Sequence, residues 1–173
     1  MKTAIFAAVI AVSASVPAFA EERAPFTGPH AELIAGYDAV DTNTAIGTPD
    51  GILYGFNLGY DMQVGGALIG AEAEVVDSDA HRFGLKTDRD LYVGARVGFA
   101  IGDRALAYAK AGYTNARFEA TGAGGANADG VRVGAGLEYK LGGKVFVKGE
   151  YRYSNYEAGL ERQQVVGGVG IRF

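Results

Sequence analysis

One phrase of alternating residues recurs four times in this chain and restricts its fold more than any other feature. Gly168-Val169-Gly170-Ile171-Arg172-Phe173 ends the sequence, and related phrases run over 54–60, 93–99 and 133–139. Each opens near a glycine (Gly55, Gly94, Gly134, Gly168) and carries an apolar residue two before its end (Leu58, Val97, Leu137, Ile171). Each finishes on an aromatic: Tyr60, Phe99, Tyr139 and Phe173. A period of two belongs to a strand with two unlike faces. The phrases recur every 34 to 40 residues, too long for one strand and suited to a strand pair with its connections. Four pairs predict eight antiparallel strands.

The alternation places these strands at about 31–37, 52–60, 67–76, 91–99, 106–118, 131–139, 145–153 and 163–173. In the seventh, Val145, Val147, Gly149, Tyr151 and Tyr153 share one face, while Phe146, Lys148, Glu150 and Arg152 share the other. In the sixth, Val131, Val133, Ala135, Leu137 and Tyr139 oppose Arg132, Gly134, Gly136 and Glu138. One face is apolar; the other combines glycine with ions of both signs.

Three features decide which face turns inward. Glycine interleaved with long charged side chains suits a narrow polar lumen filled by its own side chains. The aromatics of the apolar face sit near strand ends and form two belts: Tyr60, Phe99, Tyr139 and Phe173 at one end, Tyr37, Tyr113, Tyr151 and Tyr153 at the other. The connections alternate between short turns (61–65, 102–105, 141–144) and longer polar loops (38–51, 77–90, 119–130, 154–161). The expected fold is therefore all-β, an eight-stranded antiparallel up-and-down transmembrane β-barrel. The sheet must close, because an open edge in hydrocarbon leaves backbone groups unpaired. A soluble ligand cup is the alternative; it would line a cavity with Leu58, Tyr60, Val97, Leu137 and Ile171.

The lumen is expected to hold Glu32, Glu72, Glu74, Arg96, Lys110, Arg132, Glu138, Lys148, Glu150, Arg152 and Arg172. Interleaved acids and bases can pair across strands, and buried ions need such partners. Structural packing is the favoured role, with a narrow ion or small-solute path as the alternative. Neutralising Glu72 or Arg96 would then alter a small conductance.

The N-terminus reads as a signal peptide over 1–20. Lys2 precedes the apolar run 4–12, and Ala18-Phe19-Ala20 precedes Glu21. Residues 21–173 would form the barrel domain, exported to the cell outer membrane. The chain has no cysteine, so thiol catalysis and thiolate metal sites are excluded. A net charge of −4 argues against a nucleic-acid partner. Catalysis would need a site built from His30 or His81, the two histidines. Ser78 and Asp79 lie near His81, but such residues are ordinary in loops, so no catalytic residue is expected. Asp77 and Asp79 lack the spacing of a calcium loop, and neither metal nor cofactor is expected.

These residues together resemble the opacity-protein and OmpA-like membrane-domain superfamily of small outer-membrane barrels. The resemblance rests on the leader, the eight strands, the run 106–113 and the terminal Gly168-x-x-Ile171-x-Phe173. It implies that Gly168, Ile171 and Phe173 act as a C-terminal insertion signal read by the barrel-assembly machinery. It implies contact with outer-membrane lipid and lipopolysaccharide, a monomeric state, and a role in envelope integrity or adhesion to an external surface ligand. Some barrels of similar size modify lipid A, which remains the third functional alternative. No peptidoglycan-binding domain is expected after Phe173.

Overall fold

The alternating segments become eight long strands in the computed structural model, which describes residues 25–41, 50–78, 81–82, 85–120, 124–156 and 160–173. They are β1 (Gly28–Asp41), β2 (Asp50–Val64), β3 (Ala67–Ser78), β4 (Leu85–Ile101), β5 (Ala105–Ala120), β6 (Gly124–Gly142), β7 (Val145–Tyr156) and β8 (Leu160–Arg172). A two-residue segment, His81–Arg82, continues β3 beside β4 by pairing with Lys86 and Leu85. The signal peptide expected over 1–20 lies outside the described residues.

Every strand pairs antiparallel with the next, and β1 pairs with β8 from His30↔Arg172 to Asp41↔Glu161. The sheet is thereby closed, and no strand among the described residues presents an open edge. Closure satisfies the backbone internally, as hydrocarbon surroundings require. Three turns at one end are short, each with a glycine in the left-handed region: Gly65 (φ 59°), Gly102 (φ 66°) and Gly143 (φ 56°).

Burial alternates along the strands and settles the orientation. Leu137 and Ile171 are 62% and 43% exposed, whereas their neighbours Glu138 and Arg172 are 0% and 6% exposed. Leu58, Tyr60 and Val97 also face outward. The residues a soluble cup would need around its cavity are thus on the outer surface.

Strand limits differ from the sequence expectation. Asp61 was expected in a turn, but β2 continues to Val64 and the turn falls at Gly65-Gly66. At the opposite end, much of 77–90 and 119–130 is paired strand rather than loop. With 19 residues, β6 far exceeds the roughly 9–11 that cross a bilayer, so the barrel wall stands beyond the apolar belt. Strand pairing there depends on the backbone ladder and needs no lipid-facing alternation.

The interior is polar but contains two apolar clusters. Ile34, Leu53, Val76 and Val166 line one wall. Phe26, Leu68, Leu106 and Tyr108, with Ala100 against them, fill the end that carries the short turns. Glycine on the inner face makes room for large neighbours. A Cβ at Gly136 would lie 2.7 Å from both the Tyr108 hydroxyl and the Gly149 carbonyl oxygen.

Candidate functional site

Inward projection from seven of the eight strands brings all eleven charged residues singled out by alternation into the lumen, where each is buried. They fall into three connected groups along the barrel axis. At the short-turn end, Arg96 Nε donates to Asp61 Oδ1 at 2.7 Å and Nη2 approaches Glu138 at 3.4 Å. Arg172 donates to the same two acids, at 2.6 Å to Asp61 and 2.8 Å to Glu138. The midsection is held by Lys110, which reaches Glu72 at 2.6 Å and Glu150 at 2.9 Å, and by Lys148, which pairs with Glu32. Arg152 grips Glu74 with both terminal nitrogens, at 2.5 and 2.7 Å, and also pairs with Glu150. Toward the other end, Arg132 pairs with Asp90 and approaches Glu74 at 3.4 Å.

Two side chains connect the short-turn group to the midsection. The Tyr108 ring lies under the Arg96 guanidinium, 5.0 Å from its centroid, while the hydroxyl donates to Glu150 at 2.6 Å. His30 sits between Asp61 at 3.2 Å and Glu32 at 3.5 Å. Lys110 and Arg132 also lie over the Tyr92 ring, at 4.6 and 5.5 Å. These cation–ring contacts add to the carboxylate partners that each of the three cations already has.

Sequence reading missed five ionisable members: His30, Asp38, Asp61, Asp90 and Arg162, all buried. Arg162 Nε donates to Asp38 at 2.7 Å and Nη1 to Asp90 at 2.9 Å. Asp90 also accepts from Thr114 at 2.7 Å and from Tyr156 at 3.2 Å. Each of the five lies one residue beyond a strand end expected from the alternation. Extending each strand's alternation by one residue reaches all five on the inward face. Among the described residues, eight buried carboxylates face seven buried Lys or Arg side chains and His30. The interior is thus close to charge balance, and its ions serve each other.

Of the residues weighed for catalysis, Ser78 and His30 are described and stand far apart. Ser78 Oγ donates to Asp38 Oδ2 at 3.0 Å, and its backbone N–H donates to Asp77 at 2.9 Å. Asp79 and the His81 side chain lie outside the described residues. His30 stands near the opposite end: its level on β2 is Gly59, while that of Ser78 is Leu53. Six residues of strand separate those levels, about 20 Å.

On the outer face, Tyr37, Tyr113 and Tyr151 are exposed near one end, with Tyr153 half-buried beside them. Tyr60, Phe99, Tyr139 and Phe173 are exposed near the other. Beyond the first belt, Asp129 accepts from Tyr113 and, at 2.6 Å, from Asn115. The Tyr113 hydroxyl and then the Asn115 amide hold the Asp129 carboxyl below its ordinary range. An apolar groove of about 460 Å³ crosses the outer face between Phe56, Leu58, Ala73, Val93 and Tyr113.

Solved structures share this architecture. Neisserial surface protein A is 16% identical, with 85% of this chain and 98% of that one covered and a TM-score of 0.62. Ail, the attachment invasion locus protein of Yersinia pestis, is 20% identical, with 85% and 99% covered and a TM-score of 0.62. The N-terminal β-barrel domain of Pseudomonas aeruginosa OprF is 17% identical, with 82% and 97% covered and a TM-score of 0.51. No curated protein sequence matches significantly. A closed barrel with an apolar outside, two aromatic girdles and an ionic inside agrees with the family model that matches residues 4–173, and the chain belongs to the outer membrane protein beta-barrel domain family.

Proposed function

We propose that this barrel has a structural and surface-contact role in the outer membrane, without catalysis and without a wide pore. The interior carries the proposal. Arg96, Arg132, Arg152, Arg162, Tyr156 and Phe146 are among its largest fully buried side chains, and the arginines are held by acids on other strands. These ions engage each other, and an eight-stranded wall leaves little room beside them for a substrate. What remains available is the surface.

The apolar belt would contact outer-membrane lipid and lipopolysaccharide. The external hairpins would meet an external surface ligand and the neighbouring envelope. Ail, of the same fold, is an attachment invasion locus protein, which supports a contact role for such hairpins. A monomer suffices, because the closed sheet needs no partner strand. Export would use the signal peptide over 1–20, and mass analysis of the mature chain should begin it at Glu21.

Loss of the protein from its cell should raise sensitivity to detergents and large antibiotics or reduce attachment to host cells. The wild-type chain should restore the affected property. Unchanged sensitivity together with unchanged attachment would defeat the proposal. The polar lumen favours a narrow ion path as the second reading. Planar-bilayer recordings with conductance altered by Glu72→Gln or Arg96→Gln would support it. Altered lipid A masses in cells carrying the wild-type chain but not Ser78→Ala would favour the enzymatic alternative.

A further inference from the structure

Pro25, Phe26 and Thr27 precede β1, yet the chain does not run away from the barrel there. At Gly28 the backbone takes φ 121°, and a Cβ at that position would lie 2.6 Å from the Phe173 carbonyl oxygen. Only glycine is comfortable in that conformation and that space. The preceding residues therefore turn into the mouth. Phe26 is fully buried and clusters with Leu68 of β3 and with Leu106 and Tyr108 of β5, with Ala100 of β4 packed against the cluster.

The main chain of the segment is held as a bound peptide would be. The Phe26 N–H donates to Gln63 Oε1 at 3.1 Å, and the Phe26 carbonyl accepts from Arg172 Nη1 at 2.7 Å. The Pro25 carbonyl accepts from Lys140 Nζ at 3.0 Å, and Lys140 lies 5.6 Å from the Phe26 ring centroid. Thr27 Oγ1 accepts the Gln63 N–H at 3.0 Å. Three residues thus engage side chains from β2, β3, β5, β6 and β8. An apolar pocket for one aromatic ring, flanked by polar groups that read the backbone, is the anatomy of a peptide site.

We propose that this mouth of the barrel is a binding site for a short extended peptide with a phenylalanine-class side chain, and that the chain's own Pro25–Thr27 occupies it in cis. The segment corks the lumen. It covers the Asp61–Arg96–Glu138–Arg172 group with apolar surface and shields it from the water and salt outside that mouth. It also fastens the start of β1 to the far wall, across the β1–β8 seam that closes the barrel.

The absence of cysteine permits a direct test. Ala100→Cys is introduced into the full chain, and the refolded barrel is treated with a charged, membrane-impermeant maleimide. With the cork in place, labelling should be slow. Adding Phe26→Ala should accelerate it at least tenfold, and Lys140→Ala or Gln63→Ala, which loosen the clamps but spare the apolar cluster, several-fold. A synthetic peptide of residues 21–29 should slow labelling of the Phe26→Ala barrel. The same peptide with alanine in place of phenylalanine should not. Equal rates with and without Phe26 in heat-modifiable barrels would overturn the cork. Should Phe26→Ala fail to fold, unchanged rates in both clamp variants would do so. Failure of the wild-type peptide to protect at millimolar concentration would overturn the peptide site.

Discussion

At the scale of single residues, the strongest commitments are the buried ions. Glu74 receives Arg152 at 2.5 and 2.7 Å, Arg132 at 3.4 Å and Lys110 at 3.7 Å. Removing one partner of a buried pair leaves uncompensated charge and costs about 3–5 kcal/mol. Glu74→Ala should therefore lower urea stability of the refolded barrel by that order; a loss below about 1 kcal/mol would mean the network is idle. Inner glycines matter for a different reason. Gly136→Ala places a methyl 2.7 Å from the Tyr108 hydroxyl, whereas the nearest atoms to a Cβ at Gly167 are 3.9 Å away. Overpacking of about 1–3 kcal/mol should appear at Gly136 and be absent at Gly167, as read by paired unfolding curves.

At the scale of the element, each strand separates two environments by a single residue step. Leu137 faces lipid while Glu138 faces the axis, so register and inside–outside orientation are one property. Leu137→Arg, two residues inside the Tyr139 girdle, should cost about 1–3 kcal/mol in a bilayer, between the interface and midplane ranges for arginine on a barrel wall. Equal stability of the variant and wild type in lipid vesicles would contradict the orientation. Element boundaries were the less legible part of the sequence. Asp61 and Asp38 follow aromatic residues and looked like turn or loop openers, yet each continues the alternation inward. Local composition favours a turn; arginines from nearby strands, Arg96 of β4 for Asp61 and Arg162 of β8 for Asp38, hold them in the strand.

At the scale of the whole molecule, closure and insertion come to the fore. The last residue joins the seam: the Phe173 N–H donates to the Pro29 carbonyl at 2.9 Å, while the ring is 61% exposed toward lipid. The ring packs little against the protein itself, and recognition during assembly is its proposed role. Phe173→Ser should reduce the heat-modifiable band in outer-membrane fractions several-fold while leaving detergent-refolded stability within about 1 kcal/mol of wild type. A normal outer-membrane yield would remove the insertion role.

Period-two alternation, glycine placement and aromatic strand ends determined the strand count, the antiparallel order and which side chains share a face, because those properties are local to the ribbon. Sequence alone could also name eleven of the lumen ions, since each lies on an unbroken alternating run. Which acid meets which base belongs to the closed structure. Glu74 and Arg152 are 78 residues apart and meet only when curvature brings β3 and β7 face to face across the axis; Asp38 and Arg162 are 124 apart and meet only when closure pairs β1 with β8. The entry of Phe26 into the mouth is of the same kind: no periodicity marks Pro25–Thr27, and its pocket exists only once β2, β3, β5, β6 and β8 surround it.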